Sequence, residues 1–155
     1  MSRAKIGRVE AIASGPVARQ ALGRLVVDTP GQGLFEITDE AARFVLESGL
    51  REGLLTLFCR HTSASLTIQE NADPDVRTDL MTALDRLAPR KAGYVHDAEG
   101  ADDMPAHIRT MLTGTSVAIP VAGGKLALGT WQGLYLVEHR DRPHRREIVL
   151  HLVGA

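Results

Sequence analysis

The sequence predicts a single α+β domain in which helices pack on a largely antiparallel sheet. The chain has 155 residues, of which 44% are hydrophobic and 24% charged, as in one globular domain. Helical and strand-like segments do not alternate strictly, as they would in a doubly wound parallel fold. The last third of the chain instead contains strand after strand. The strand-like segments there are Val117–Val121, Lys125–Leu128, Trp131–His139 and Arg146–Val153.

The first half of the chain supplies further strands. Lys5–Ile12 alternates loosely between apolar and polar residues, and Leu22–Val27 is apolar enough to be at least half buried. A turn is expected at Pro30–Gly33. Leu54–Cys59 is an almost unbroken apolar run, which predicts a central strand buried on both faces. Its single cysteine is therefore expected to be a buried, unreactive thiol.

Three helices are predicted from their end signals. The first is expected to begin with Thr38 as N-cap and to end at Gly49. The clearest follows Asp73 as N-cap, with Pro74 in the first helical position, and ends before Pro89. A third Asp-then-Pro start at residues 103–105 predicts a helix that ends at residue 114. Between the later strands, residues 122–124 predict a glycine hairpin turn.

Charge and hydropathy exclude several functional classes. The net charge is −1 with both signs interleaved, so the single-sign basic face typical of nucleic-acid binding is absent. No apolar run reaches the roughly 18 residues of a membrane span. The N-terminus lacks the apolar core of a signal peptide, and a cytoplasmic location is the expectation.

The segment His96–His107 is the first candidate site. It holds two histidines and four acidic residues and contains no basic residue. Asp103 is expected to cap the third helix, with His107 four residues later on the same side. Imidazole nitrogen and carboxylate oxygen are typical zinc ligands, although the spacing matches no standard zinc motif. A solvated acidic loop that merely caps a helix is the alternative.

A second candidate follows the buried strand. His61 stands near Ser63 and Ser65, a composition compatible with a histidine-activated serine nucleophile. However, no Gly-x-Ser-x-Gly elbow is present. Hydroxyl groups that bind phosphate or that satisfy the end of the strand are the alternative.

Two further groups of polar residues complete the candidates. Glu70 and Asn71 precede a helix N-terminus and could simply belong to its capping loop. Gln132 and Glu138 fall on one face of a later strand. Arg140 could recognise a phosphate or carboxylate, or could form an ordinary ion pair with Glu138.

These groups together resemble the YjbQ-like family. The resemblance extends from about residue 18 to the C-terminus. It is carried by residues 61–66, 70–77, 96, 99–107, 128–133 and 138–140. It implies an α+β protein built on a β-sandwich of largely antiparallel strands with about three helices, assembled as a homotrimer with sites near subunit boundaries.

The resemblance also implies a function and a set of roles. Some members are associated with a secondary thiamine-phosphate synthase activity, which joins a pyrimidine methyl diphosphate to a thiazole phosphate and releases pyrophosphate. A divalent metal ion, Zn or Mg, is expected to assist a reaction on a small phosphorylated molecule. A non-catalytic trimeric module that binds a metal or metabolite is the alternative. The expected roles are metal ligation by His96, Asp103 and His107, catalysis by His61, Glu99 and Arg140, and substrate binding by Ser63, Ser65, Glu70, Asn71, Gln132 and Glu138.

Overall fold

The computed structural model describes residues 4–155, and within this range the chain forms eight strands and three helices. In chain order they are β1 (Arg19–Thr29), β2 (Gly33–Glu36), α1 (Thr38–Ser48), β3 (Gly53–Cys59), β4 (Ala64–Glu70), α2 (Pro74–Leu87), α3 (Asp103–Thr113), β5 (Ser116–Ala122), β6 (Lys125–Leu126), β7 (Gln132–Glu138) and β8 (His144–Gly154).

The strands form two sheets, and every pairing is antiparallel. A five-stranded sheet has the order β1-β8-β3-β5-β6, and a three-stranded sheet has the order β2-β7-β4. β8 lies between β1 and β3, so the C-terminal strand holds the larger sheet together. The expected α+β class with antiparallel strands and three helices is confirmed.

The hydrophobic core lies between the two sheets. Alternate residues of each strand point inward, such as Leu55 and Leu57 of β3 and Leu134 and Leu136 of β7. Helix α1 adds Val45 and its neighbours to the same core. On the other face of the three-stranded sheet, α2 and α3 provide cover. Among the described residues, no helix is long and apolar enough to cross a membrane.

The structure corrects four predicted features. β3 is central in its sheet, as expected, but it is buried on one face only, because Leu54 and Phe58 are 46% and 50% exposed. Lys5–Ile12 is not a strand and lies exposed outside both sheets, because alternation alone supplies no partner strand. Two strands were missed: β2 begins at Gly33, inside the predicted turn, and β4 occupies Ala64–Glu70, a segment interpreted only as a site. The predicted hairpin is confirmed, with positive φ at both Gly123 and Gly124.

Helix boundaries are confirmed in part. Asp73 caps α2 by accepting a hydrogen bond from the Asp75 N–H, as its sequence predicts. α1 instead begins after Ile37, and the Thr38 hydroxyl accepts a bond from the Leu134 N–H rather than capping the helix. In α3, Asp103 was expected to be the N-cap but is the first helical residue, so it faces His107 one turn later.

Candidate functional site

Three side chains converge at the start of α3. The Asp103 carboxylate oxygen Oδ2 lies 2.6 Å from His96 Nε2 and 3.4 Å from His107 Nε2. One ligand atom from each residue lies within 4.8 Å of the others. Asp103 is only 3% exposed in its side chain, whereas those of His96 and His107 are 45% and 34% exposed. The cluster therefore has a buried carboxylate with two imidazoles at the surface.

The geometry fits a divalent ion such as zinc. Zinc bonds of about 2.0–2.1 Å in a tetrahedral site place ligand atoms roughly 3.3 Å apart, close to the His107–Asp103 separation. The shorter His96–Asp103 distance is that of a hydrogen bond. Three protein ligands leave one tetrahedral position for water or substrate, as in catalytic zinc sites.

Arg140 orients the carboxylate from behind. Its guanidinium donates to Asp103 Oδ1 at 2.6 Å, to Asp102 Oδ2 at 2.9 Å and to the Glu99 carbonyl at 3.0 Å. The Asp141 N–H also donates to Asp102. Partial burial alone would raise the pKa of the Asp102 carboxyl, but these two donors lower it below its ordinary value. The guanidinium of Arg140 thus donates to protein groups, and this arrangement orients the Asp103 carboxylate. Glu99 contributes only its backbone carbonyl to this contact.

A buried arginine fixes the rest of α3. Arg109 is 1% exposed, and its guanidinium donates to the Asp85 carboxylate at 2.6 Å and to the Ala88 carbonyl at 3.2 Å. Asp85 lies in the last turn of α2, and Ala88 directly follows that helix. Because Arg109 follows His107 by two residues, this contact restrains the helix that carries the cluster.

His107 also borders a shallow pocket shared with His61. This pocket, of about 380 Å³, includes the side chains of Thr62, Thr110 and Thr115. An adjoining depression of about 600 Å³ extends past His61 toward residues 58–63 and 146. The structure therefore joins two of the groups singled out in the sequence, the histidine after β3 and the cluster at α3.

The hydrogen bonding of His61 defines its chemistry. Its Nε2 accepts a 2.8 Å hydrogen bond from the Glu147 backbone N–H. Burial, followed by the nearby Arg146 charge, lowers the pKa of His61 below its ordinary value. The ring is consequently neutral near pH 7 with its proton on Nδ1. In that form the ring can donate a hydrogen bond through Nδ1 but is not a free base, because its Nε2 lone pair is already occupied.

The other predicted residues near His61 belong to a buried polar network. Glu138 is 0% exposed and accepts from Arg146 at 2.5 and 2.6 Å and from the Thr29 hydroxyl at 2.7 Å. Arg146 also donates to Ser63 Oγ at 3.0 Å. Ser65 is 0% exposed and lies 2.8 Å from a ring nitrogen of His139. Ser63 borders the second depression, whereas the Ser65 hydroxyl is enclosed.

Glu70, Asn71 and Gln132 lie elsewhere. Glu70 pairs with Gln132 at one end of the β4–β7 ladder, and Ala64 pairs with Glu138 at the other. Six residues of strand separate these ends by about 20 Å. The structure therefore does not bring these three residues to the His96–His107 cluster of the same chain.

The distant group is closely packed around a glycine. A Cβ on Gly133 would lie 2.7 Å from the Glu36 carboxylate and 2.9 Å from Asn71 Cβ, so only glycine fits there. Trp131, the only tryptophan, is 62% exposed beside it. This end of the molecule is a second polar surface.

Sequence reasoning missed Arg146 and Arg109. Arg146 begins the inward row of β8 that continues through Ile148, Leu150 and Leu152. A charged residue in register with an apolar row is a detectable sign of a buried ion pair. Arg109 carried no such sign, because its partner Asp85 is 24 residues away.

The molecule is a two-sheet α+β protein with a His–Asp–His surface centre. Comparisons with known proteins identify the family to which it belongs. The family model of the UPF0047 protein YjbQ-like family matches residues 24–155, and the chain belongs to this family.

Relatives match nearly their full length. UPF0047 protein sll1880 of Synechocystis is 51% identical over 144 residues, covering 92% of this chain and 98% of the relative. UPF0047 protein YjbQ of Escherichia coli O157:H7 is 43% identical over 131 residues, covering 84% and 95%.

Solved structures share the fold. A protein of unknown function from Sulfolobus solfataricus superposes with a TM-score of 0.82 at 26% identity, over 88% of this chain and 99% of the other. An uncharacterized conserved protein of the YjbQ/UPF0047 family from Clostridium acetobutylicum gives 0.78 at 39% identity, over 83% and 98%.

Proposed function

We propose that the protein is a metal-assisted enzyme that acts on a small phosphorylated metabolite. The observation that carries the proposal is the convergence of His96, Asp103 and His107 beside the pocket that contains His61. A bound divalent ion would supply Lewis-acid stabilisation of phosphate oxygens. The three cluster residues would hold it.

The pocket residues would then act on the substrate directly. The Nδ1–H of His61 donates to a phosphate oxygen, and the Thr62 and Thr115 hydroxyls line the same depression. Arg140 keeps the Asp103 carboxylate in place without touching substrate. Glu138 shapes the pocket through Arg146, which holds Ser63.

Thiamine-phosphate formation is the specific reaction we propose to test first. A bond would form between the pyrimidine methylene carbon and the thiazole nitrogen while the bond from that carbon to the diphosphate oxygen breaks. Pyrophosphate leaves with the electron pair. The developing charge on the diphosphate is what a metal ion and the His61 donor would stabilise.

The experiment begins with metal binding. We expect zinc to bind the purified protein in isothermal titration, and His107→Ala to weaken binding by more than the roughly 10–100-fold typical of losing an outer-shell partner. His144→Ala is the matched control, because its ring hydrogen-bonds the Arg142 carbonyl and, among the described residues, it belongs neither to the cluster nor to the lining of the pocket. If no zinc binds and none co-purifies, the ligand assignment fails.

A turnover assay distinguishes the proposed enzyme from a non-catalytic binding module. The second candidate, a non-catalytic module assembled as a homotrimer, is favoured by the shallowness of the pocket. Zinc-loaded protein would be assayed for product from the two thiamine precursors and from a panel of phosphorylated metabolites. Turnover lost in His107→Ala supports the enzyme. Metal binding without turnover on any substrate supports the module. Rates far below about 1 per second would mark thiamine-phosphate formation as incidental.

A further inference from the structure

The depression beyond His61 is lined by cationic and hydrogen-bonding groups. It measures about 600 Å³ and adjoins the pocket that His107 borders. We call it the arginine depression, and no acidic side chain of the described residues lines it. Its polar lining residues are Arg60, His61, Thr62, Ser63, Thr115 and Arg146. A concave surface that carries positive charge concentrates anions.

Both arginines of the depression keep donors free. Arg60 bonds the Glu147 carboxylate through Nη1 at 2.8 Å, and its Nε and Nη2 have no acceptor among the described residues. Arg146 uses Nε and Nη2 for Glu138 and Ser63. Its Nη1 has no acceptor within residues 4–155 and is not sealed inside the protein. Because the Arg146 side chain is 4% exposed and fixed by these bonds, this last nitrogen is preorganised for a ligand.

The turn between β3 and β4 adds backbone donors. Thr62 and Ser63 lie in this turn, outside any helix or strand. In the part of the chain that the structure describes, their N–H groups donate to no protein acceptor. Free N–H groups of successive turn residues commonly bind phosphate oxygens. The neutral ring of His61 can add a third donor through Nδ1.

The charges around the depression do not balance. Arg24 and Arg60 share the Glu147 carboxylate at 3.4 and 2.8 Å, and Arg146 pairs with Glu138. Three guanidinium groups thus meet two carboxylates, and one positive charge remains without a counter-charge in this group. A bound anion would compensate that charge.

We propose that the arginine depression binds a phosphate monoester group separately from the metal ion. Such a group carries nearly two negative charges and three acceptor oxygens. Its tetrahedral oxygens suit donors that come from two guanidinium groups, a ring and a turn, whereas a planar carboxylate has only two oxygens. The role of this subsite in catalysis rests on the proposed function: the reacting molecules would carry a phosphate monoester besides the group held at the metal. Binding of the phosphate itself requires no metal.

Amide NMR of the metal-free protein, titrated with inorganic phosphate, tests the subsite. We expect the N–H signals of Thr62 and Ser63 to shift with phosphate, whereas acetate at the same ionic strength should leave them in place. Arg60→Gln should weaken phosphate affinity about tenfold, as the loss of a charge-assisted hydrogen bond does. Arg24→Gln is the matched control, because Arg24 contacts the same Glu147 carboxylate but does not line the depression. Its effect should stay below about twofold, since exposed charges at a distance are screened.

Removal of the competing carboxylate should have the opposite effect. Glu147→Gln frees Arg60 and should tighten phosphate binding severalfold, because a negative charge beside the depression is lost. The amide signals of the remaining residues report whether each variant is folded.

Several outcomes would overturn the proposal. They are unshifted signals of Thr62 and Ser63, equal shifts with acetate, equal weakening in Arg60→Gln and Arg24→Gln, and weaker binding in Glu147→Gln. All these titrations are made without metal. A protein that binds phosphate but not zinc would therefore lose the metal assignment and keep this subsite, and the reverse result would remove the subsite alone.

Discussion

His139 shows how strongly a single buried side chain responds to its surroundings. It is 0% exposed, one ring nitrogen lies 2.8 Å from Ser65 Oγ, and Nδ1 has no hydrogen-bond partner among the described residues. Burial, reinforced by the charge of Arg109 and opposed by that of Glu138, lowers the pKa of His139 to about 4. The folded protein therefore holds this ring neutral at pH values where the unfolded chain protonates it.

The first prediction concerns stability against pH. Between pH 6.5 and about 4 the unfolded state binds a proton at His139 that the folded state excludes, so acidification favours unfolding. The contribution reaches roughly 3 kcal/mol at the lower end. Urea unfolding at pH 7.0, 5.5 and 4.5 should show a shallower pH dependence for His139→Gln than for the unaltered chain. An identical pH dependence in His139→Gln and in the unaltered chain would contradict the assignment. His144→Gln is the control, because His144 is partly exposed at the end of β8 rather than buried.

At the residue scale, the sequence reveals a site only where its members are local. His96, Asp103 and His107 lie within twelve residues, and helical spacing places the last two on one face. The contacts that hold them come from distant positions. Arg140 reaches Asp103 across 37 residues, a pairing that no periodicity encodes.

At the scale of elements, the sequence predicts a helix boundary well when specific local bonds define it. It predicts poorly when the only indication is the alternation of apolar and polar residues. Asp73 and Pro74 define the start of α2 because the cap bond and the missing N–H are local effects. Residues of Lys5–Ile12 alternate as in a strand, but this segment pairs with no strand of either sheet. β4 was missed because polar residues at Ser65, Thr67 and Gln69 conceal a strand, which the pairing with β7 stabilises.

The second prediction concerns Arg140, which lies in the connection after β7 and contacts the N-terminal end of α3. Arg140 follows β7 and fixes the first turn of α3 through Asp102 and Asp103. Arg140→Met should weaken zinc binding about 10–100-fold, as loss of an outer-shell partner does. Titration calorimetry would measure this, with Arg142→Met as the exposed matched control. Removing a cation could instead strengthen metal binding by simple Coulomb attraction. Tighter binding in Arg140→Met would therefore show that orientation is not the role of this arginine.

At the scale of the molecule, one buried ion pair joins the two sheets. Glu138 ends β7 in the three-stranded sheet, whereas Arg146 and Thr29 belong to the five-stranded sheet. Burial alone would raise the pKa of Glu138, but the hydrogen bonds from Arg146, from the Arg140 N–H and from Thr29 lower it below its ordinary value. The carboxylate is thus charged at neutral pH. Its bonds to Arg146 and Thr29 connect the two sheets at the edge where the candidate site lies.

The last prediction follows from the cost of leaving one of these charges alone. Glu138→Gln keeps the shape but leaves Arg146, 4% exposed in its side chain, without its counter-charge. Breaking a buried pair on one side typically costs about 3–5 kcal/mol, whereas replacing both partners with apolar groups costs far less. Guanidinium unfolding should therefore show a large loss for Glu138→Gln and a partial recovery in the double variant Glu138→Leu, Arg146→Met. Glu147→Gln, which alters the ion pair with Arg60 whose side chains are 30% and 54% exposed, should change the free energy of unfolding by less than about 1 kcal/mol. Equal losses for Glu138→Gln and Glu147→Gln would mean that the pair does not hold the sheets together, and the two layers would then depend on their apolar core alone.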